Sequence, residues 1–198
     1  MGKGLEKKIV LLDIDDTISL FLESLVQYNE ELFGEKIHLE QITDWDLAKF
    51  SSRGRQIYDL FKHPGLYRYL KARDGAYEFI EGLNTDYDLF FVTDSPSGTS
   101  FCDVESGAVS FSNPADDKRK WIQEQFPFFD HSKIIFCKHK WMITGDVLLD
   151  DKLETFLEFR KRGRHAILMD QPHNRSYETE FRAHNLAEAE AMIRELLK

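Results

Sequence analysis

Ile9-Val10-Leu11-Leu12 runs into Asp13-Ile14-Asp15-Asp16-Thr17, and Leu89-Phe90-Phe91-Val92 runs into Thr93-Asp94-Ser95. Lys138-His139-Lys140 precedes Gly145, and Val147-Leu148-Leu149 ends in Asp150-Asp151. Each of these residue types has a use in phosphoryl transfer. A carboxylate can attack phosphorus and form an aspartyl phosphate. Magnesium takes hard oxygen ligands, often one or two carboxylates together with the substrate's phosphate. A lysine offsets charge on the phosphoryl oxygens, and a hydroxyl donates a hydrogen bond to them. A second acid protonates the leaving oxygen and then activates water. Carboxylates at alternate positions just past a strand point the same way. Asp13 and Asp15 therefore offer a nucleophile and an acid from one turn.

A single Asp after a strand is ordinarily a helix cap or a turn residue. Asp16, Thr17 and Asp94 each admit that reading. Clustered carboxylates without partners repel one another. The groups Asp13/Asp15/Asp16 and Asp150/Asp151 therefore ask for a cation.

Those residues need a frame that brings four strand ends together. Lys8 to Ile14 and Asp86 to Thr93 read as buried strands, with shorter ones at Ile134 to Phe136, Val147 to Leu149 and His165 to Met169. Phe21, Leu22, Leu25, Val26, Tyr28 and Leu32 recur at helical spacing, predicting a helix over Ser19 to Phe33 that stops at Gly34. Asp74 is expected to cap a helix over Ala76 to Leu83. Pro114 is expected to open one that runs to about Phe126. Further helices are expected over Lys152 to Arg162 and Leu186 to Leu197. Thr43 to Lys71 suits helical pieces, and Val104 to Phe111 suits a small hairpin over the cleft. Alternating strands and helices predict an α/β fold, a Rossmann-like parallel sheet flanked by helices. Ligands bind beyond the carboxyl ends of such strands. The four acidic, hydroxyl and basic ends would then meet in one cleft.

The 198 residues suit one α/β domain with a small insertion, and 42% hydrophobic residues suffice for a core. A net charge of −9 and the lack of an obvious basic patch argue against a nucleic-acid polymer as partner. The densest basic run, Arg160, Lys161, Arg162 and Arg164, reads as the cationic end of a helix. No run of eighteen apolar residues is present, so no membrane span is expected. Residues 1–8 lead straight into a strand, unlike a signal peptide, and a cytoplasmic protein is expected. Cys102 and Cys137 form no CxxC pair and read as incidental thiols.

At its four motifs the chain resembles the haloacid-dehalogenase superfamily. Asp13 to Thr17 matches DxDx(T/V). Phe90 to Ser95 resembles a second motif, a strand ending in Thr or Ser. Lys140 fits a third, and Leu148 to Asp151 fits a fourth, in the right order. Lys138 to Lys152 is further similar to the 5'(3')-deoxyribonucleotidases, as are Ser95-Pro96, the Lys118-x-x-Trp121 helix and His173-Asn174-Arg175-Ser176. The resemblance implies Asp13 as nucleophile and magnesium ligand. It implies Asp15 as acid/base that also gives its backbone carbonyl to Mg2+. Asp150 would complete the metal site, with Asp151 as ligand or support. Thr93 and Lys140 would hold the phosphoryl group, Ser95 competing with Thr93 for that role.

The resemblance also implies a small helical cap inserted after the first strand. This gives a core of residues 1–18 and 73–198 and a cap of residues 19–72. Phe21 occupies the position of a base-holding aromatic in the nucleotidases, and Trp45 is a second candidate for the base. Phe50, Tyr58 and Phe61 read as core. Asp16 stands where the animal nucleotidases carry Gly. The implied substrate is a small-molecule nucleotide, a deoxyribonucleoside monophosphate. The alternatives are another small phosphomonoester and, in a different class, a non-hydrolytic phospho-acceptor or binding module. A homodimer is expected only by analogy.

Overall fold

The computed structural model describes residues 7–102 and 109–198. Its elements run β1 (Ile9–Leu12), α1 (Phe21–Phe33), α2 (Ala76–Asp86), β2 (Asp88–Thr93), β3 (Thr99–Cys102), β4 (Val109–Ser112), α3 (Pro114–Gln125), β5 (Ile134–Phe136), β6 (Val147–Asp150), α4 (Leu153–Lys161), β7 (His165–Met169), β8 (Arg182–Ala183) and α5 (Leu186–Leu196). Six strands form one sheet in the order β5-β2-β1-β6-β7-β8. All its pairings are parallel, as the apolar runs predict.

Alternation along the strands divides the core. Val10 and Leu12 of β1 join Leu89, Phe91, Val147, Leu149, Ile167 and Met169 beneath residues from α2, α3 and α5. Leu11 points the other way, with Val92, Leu148, Ala166 and Leu168, against Phe156 and Phe159 of α4. β1 is therefore apolar throughout because both faces are covered. It lies between β2 and β6, where the strand order turns back. That switch point is where an open α/β sheet leaves a crevice.

The chain leaves the sheet after β1 and returns through a narrow neck. Leu20 N–H donates to the Lys71 carbonyl at 2.9 Å, and Arg73 N–H donates to Ile18 at 2.8 Å. Between these strands of the neck lie α1 and the 3-10 segments Leu39–Gln41, Leu47–Lys49 and Gly54–Lys62. α1 stops as expected, with Gly34 at φ 68° donating its N–H to Glu30. Glu35 fastens this segment internally, accepting from the Ser51 hydroxyl at 2.6 Å and from Asn29 at 3.1 Å.

Three expectations need correction. Asp74 does not cap α2: the chain enters it through Gly75 at φ 76°, with no side-chain cap. α2 continues to Asp86, so β2 begins at Asp88 and not at Asp86. The antiparallel hairpin after β2 pairs Thr99–Cys102 with Val109–Ser112, and residues 104–108 of the expected hairpin lie outside the described residues. Among the described residues no helix is long and apolar enough to cross a membrane.

Gly145, just before β6, has no room for a side chain. A Cβ there would lie 2.6 Å from Leu11 Cγ in the core. Gly145→Ala should cost about 1–3 kcal/mol, read as a lower urea midpoint at unchanged slope. An unchanged midpoint would mean that β1 and β6 are less tightly joined than described.

Candidate active site

The carboxyl ends of β1, β2 and β6, and the turn that follows β5, meet at the switch point. The turn after β1 is built by its own backbone and by two outside clamps. Ile14 carbonyl accepts from Ile18 and Ser19 amides at 3.1 and 3.0 Å. Arg73 donates to the carbonyls of Asp16 and Thr17 at 2.8 and 3.0 Å, and Gln171 donates to Asp16 at 2.6 Å. Asp16 sits at φ 53°, the one non-glycine residue with positive φ among those described. Glycine adopts such a left-handed backbone without a steric cost. Here Asp is retained because its carboxylate accepts the Leu22 amide at 2.9 Å in the first turn of α1. Asp16, not Thr17, thus satisfies an amide of that first turn, from outside the N-cap position, which Leu20 occupies.

Lys140 organises the carboxylates. Its Nζ lies 2.6 Å from Asp13 Oδ1 and 2.6 Å from Asp150 Oδ2, and all three side chains are buried. Asp150 Oδ1 accepts the Lys152 amide at 2.8 Å. Asp151 Oδ2 lies 3.0 Å from His173 Nε2, outside hydrogen-bond geometry, and is buried without a hydrogen bond. Asn174 Nδ2 donates to the Asp151 and Met169 carbonyls at 2.7 and 2.8 Å. The His173-Asn174 segment therefore buttresses Asp151. Asp13, Asp150 and Asp151 each present an oxygen, all within 4.8 Å of one another.

Asp15 belongs to a second pair. Lys118 of α3 lies fully buried, with Nζ 2.5 Å from Asp15 Oδ2 and 3.0 Å from Thr93 Oγ1, and it also donates to the Asp94 carbonyl. Thr93 is fully buried, its hydroxyl shared between Lys118 and the Asp94 carbonyl. Ser95 instead lines the cleft beside Asp94.

The cleft has two parts. One, of about 240 Å³, is lined by Asp13, Asp15, Lys138, Lys140, Asp151 and Lys152. The other, of about 360 Å³, has Phe21, Trp45, Phe61 and Tyr67 on its wall with Ser95 and Pro96. Phe21 stacks on Tyr67 at 5.3 Å and meets Phe61 edge-on at 5.2 Å. Trp45 is 42% exposed and packs edge-on against His173 at 4.9 Å. Phe61, read from sequence as core, lines both parts of the cleft.

Sequence reading missed Tyr67, and it matched Lys118 within the Lys118-x-x-Trp121 helix without giving it a role. A signal for Lys118 exists: with Trp121 and Ile122 it forms the buried stripe of α3 at helical spacing. A lysine on an apolar stripe needs a buried partner. Its partner, 103 residues away, is set by tertiary packing alone.

Burial raises the carboxyls of Asp13, Asp15 and Asp150 and is the largest influence on each. Lys118 draws Asp15 back and leaves it at about 6. Lys140 draws Asp150 back and leaves it at about 7. Burial also pushes Asp16 well up, helped by Asp151. Burial opposes the charge of Lys140, but Asp13 and Asp150 outweigh it and raise the ammonium above its ordinary value. These folded carboxyls hold protons that the unfolded chain has released above its ordinary carboxylate range. Their contribution to stability is complete below about pH 4 and is lost as pH rises through the folded values of about 6 and 7. In a chelator, the urea midpoint should fall between pH 5 and pH 8, and Asp150→Asn should flatten that fall. A wild-type midpoint that rises over this interval would contradict the charge assignment.

A family model for the 5' nucleotidase, deoxy (pyrimidine), cytosolic type C protein matches residues 7–197. A 5'(3')-deoxyribonucleotidase of Clostridium acetobutylicum is 28% identical over 97% of this chain and 98% of its own. Another, from Bacillus subtilis, is 26% identical over 94% of this chain and 99% of its own. Among solved structures, a haloacid-dehalogenase-type (HAD) hydrolase of Bacillus subtilis bound to magnesium has a TM-score of 0.57 at 15% identity, covering 96% of this chain and 100% of that one. The last likeness speaks for the fold. The fold is that of HAD hydrolases, and the chain belongs to the 5' nucleotidase, deoxy (pyrimidine), cytosolic type C protein family.

Proposed function

We propose that the protein is a magnesium-dependent 5'(3')-deoxyribonucleotidase working through an aspartyl phosphate on Asp13. The observation that carries this reading is the position of Asp15, which lines both the carboxylate-and-lysine part of the cleft and its aromatic part. A phosphate at one end and a base at the other would put the ester oxygen between them, beside the acid. The names of the Clostridium and Bacillus relatives agree with a deoxyribonucleotide substrate.

The donor set suits a hard divalent cation. Asp13, Asp150 and Asp151 are buried acids with oxygens in mutual reach. Asp151 Oδ2 has no hydrogen bond, whereas both oxygens of Asp150 are engaged by Lys140 and the Lys152 amide. This favours Asp13 and Asp151 as carboxylate ligands, with the Asp15 carbonyl, and Asp150 as the group that orients Lys140. The similarly folded Bacillus hydrolase was solved with magnesium. When bound, the ion would neutralise charge on the phosphoryl oxygens.

The chain's own residues would do the rest. An Asp13 oxygen attacks phosphorus, and the bond from phosphorus to the ester oxygen breaks. Asp15 gives its proton to that oxygen, and the nucleoside leaves. Asp15 then takes a proton from water, whose oxygen attacks phosphorus; phosphate departs and Asp13 is regenerated. A carboxyl raised to about 6 by burial suits a group that alternates between acid and base. Lys140 uses two of its three ammonium hydrogens on Asp13 and Asp150, leaving one for a phosphoryl oxygen. Ser95 supplies a hydroxyl at the cleft wall, while Thr93 acts from behind it. Phe21, Trp45, Phe61 and Tyr67 would hold the base, and residues 19–72 would act as the cap over the core of residues 1–18 and 73–198.

Phosphate release from a panel of nucleoside monophosphates and base-free phosphate esters, with and without magnesium, tests this reading. Release should need magnesium, be fastest with deoxynucleotides, and fall roughly a thousandfold or more in Asp13→Asn, as nucleophile removal does in other enzymes. Faster release from base-free esters would remove the nucleotide assignment. A stable phosphoprotein without turnover would replace the enzyme by a phospho-acceptor.

A further inference from the structure

Lys118 differs from Lys140 in a way that bears on its role. An ammonium has three hydrogens to donate. Lys118 spends them on Asp15 Oδ2, Thr93 Oγ1 and the Asp94 carbonyl. Its side chain has no exposure, and the Tyr67 ring lies 4.7 Å from Nζ. No hydrogen and no surface remain for a substrate. Lys140, by contrast, retains a donor and lines the cleft.

We infer that Lys118 is a positioning residue for leaving-group protonation: it fixes the Asp15 carboxyl by one oxygen and never touches the phosphate. This rests on the reading of Asp15 as acid/base. Lys118 anchors Oδ2, while Oδ1 is buried without a hydrogen-bond partner, so this ammonium is the side-chain group that fixes the carboxyl. The same ammonium ties α3 to the ends of β1 and β2, so the acid is referenced to the strand that carries Thr93. Trp121 holds α3 in place one turn on, its Nε1 donating to the Leu70 carbonyl at 2.7 Å. That bond links the neck of the inserted segment to the helix that aims the acid.

A residue acting through the acid has a signature that a phosphate ligand or a packing residue lacks. Loss of the acid slows esters with a poor leaving group, such as a nucleoside 5'-monophosphate. It spares an aryl ester such as p-nitrophenyl phosphate, whose phenolate leaves without a proton. The measurement is the first-turnover release of nucleoside or nitrophenol in magnesium by wild type, Asp15→Asn, Lys118→Met and the double variant. Methionine keeps an unbranched apolar side chain beside the Tyr67 ring; Lys118→Gln is read in the same way should the Met protein not fold.

Lys118→Met should slow nucleoside release on the order of a hundredfold or more, within the range for a general acid, and nitrophenol release less than tenfold. The double variant should be no slower than Asp15→Asn. Equal losses on both esters, or losses that multiply in the double variant, would overturn the role given to Lys118. Should Asp15→Asn itself show no difference between the esters, the acid/base assignment fails first, whatever Lys118→Met does.

Discussion

A lysine held between two aspartates is the interaction on which the site depends. Lys140 Nζ lies 2.6 Å from both Asp13 and Asp150, and little solvent reaches any of the three. Removing one partner from such a buried set leaves an uncompensated charge, which costs far more than the pair itself contributes. The ammonium lets Asp13 at the end of β1 and Asp150 at the end of β6 stand side by side. Charge remains unmet even so. Asp151 packs against the same group, Asp15 has its own lysine, and burial pushes the carboxyls of Asp13, Asp15 and Asp150 upward. A divalent cation is the simplest completion of that arrangement.

The sheet makes this crowding possible. β1 sits at the point where strand order reverses, so its end faces β2 on one side and β6 on the other. Leu11 and Leu12 are buried on opposite faces, which fixes the register in which Asp13 emerges. The inserted segment meets the same edge from above through Phe21, Trp45 and Phe61. Its aromatic wall and the acidic floor share Asp15, so the proposed chemistry and the proposed base recognition adjoin at one side chain.

Much of the site was legible because it is written at strand ends. Asp13, Asp15, Thr93, Asp150 and Asp151 each follow or end a short apolar run, and parallel strands carry such ends to one edge whatever the detail of packing. Lys140 was legible by its place before β6. The role of Lys118 was not, because a helix face meets a partner only through the tertiary fold. Tyr67 was hidden by an irregular stretch whose periodicity is that of 3-10 turns and not of an α-helix. Gly75 displaced Asp74 at the start of α2 for a local reason: a left-handed residue turns the chain more sharply than an Asp cap does. The bond between Asp16 and the first turn of α1 lay beyond the sequence as well, since it required knowing that the turn after β1 is left-handed there.

Calorimetric titration of magnesium into the wild-type protein and Asp151→Asn tests the central claim most directly. The account expects one ion per chain in the wild type, and binding weakened at least tenfold in the variant, roughly the scale of a lost contact at a metal site. Wild-type protein that takes up no magnesium, or a variant that binds it equally well, would contradict the claim that these strand-end carboxylates are built around a cation.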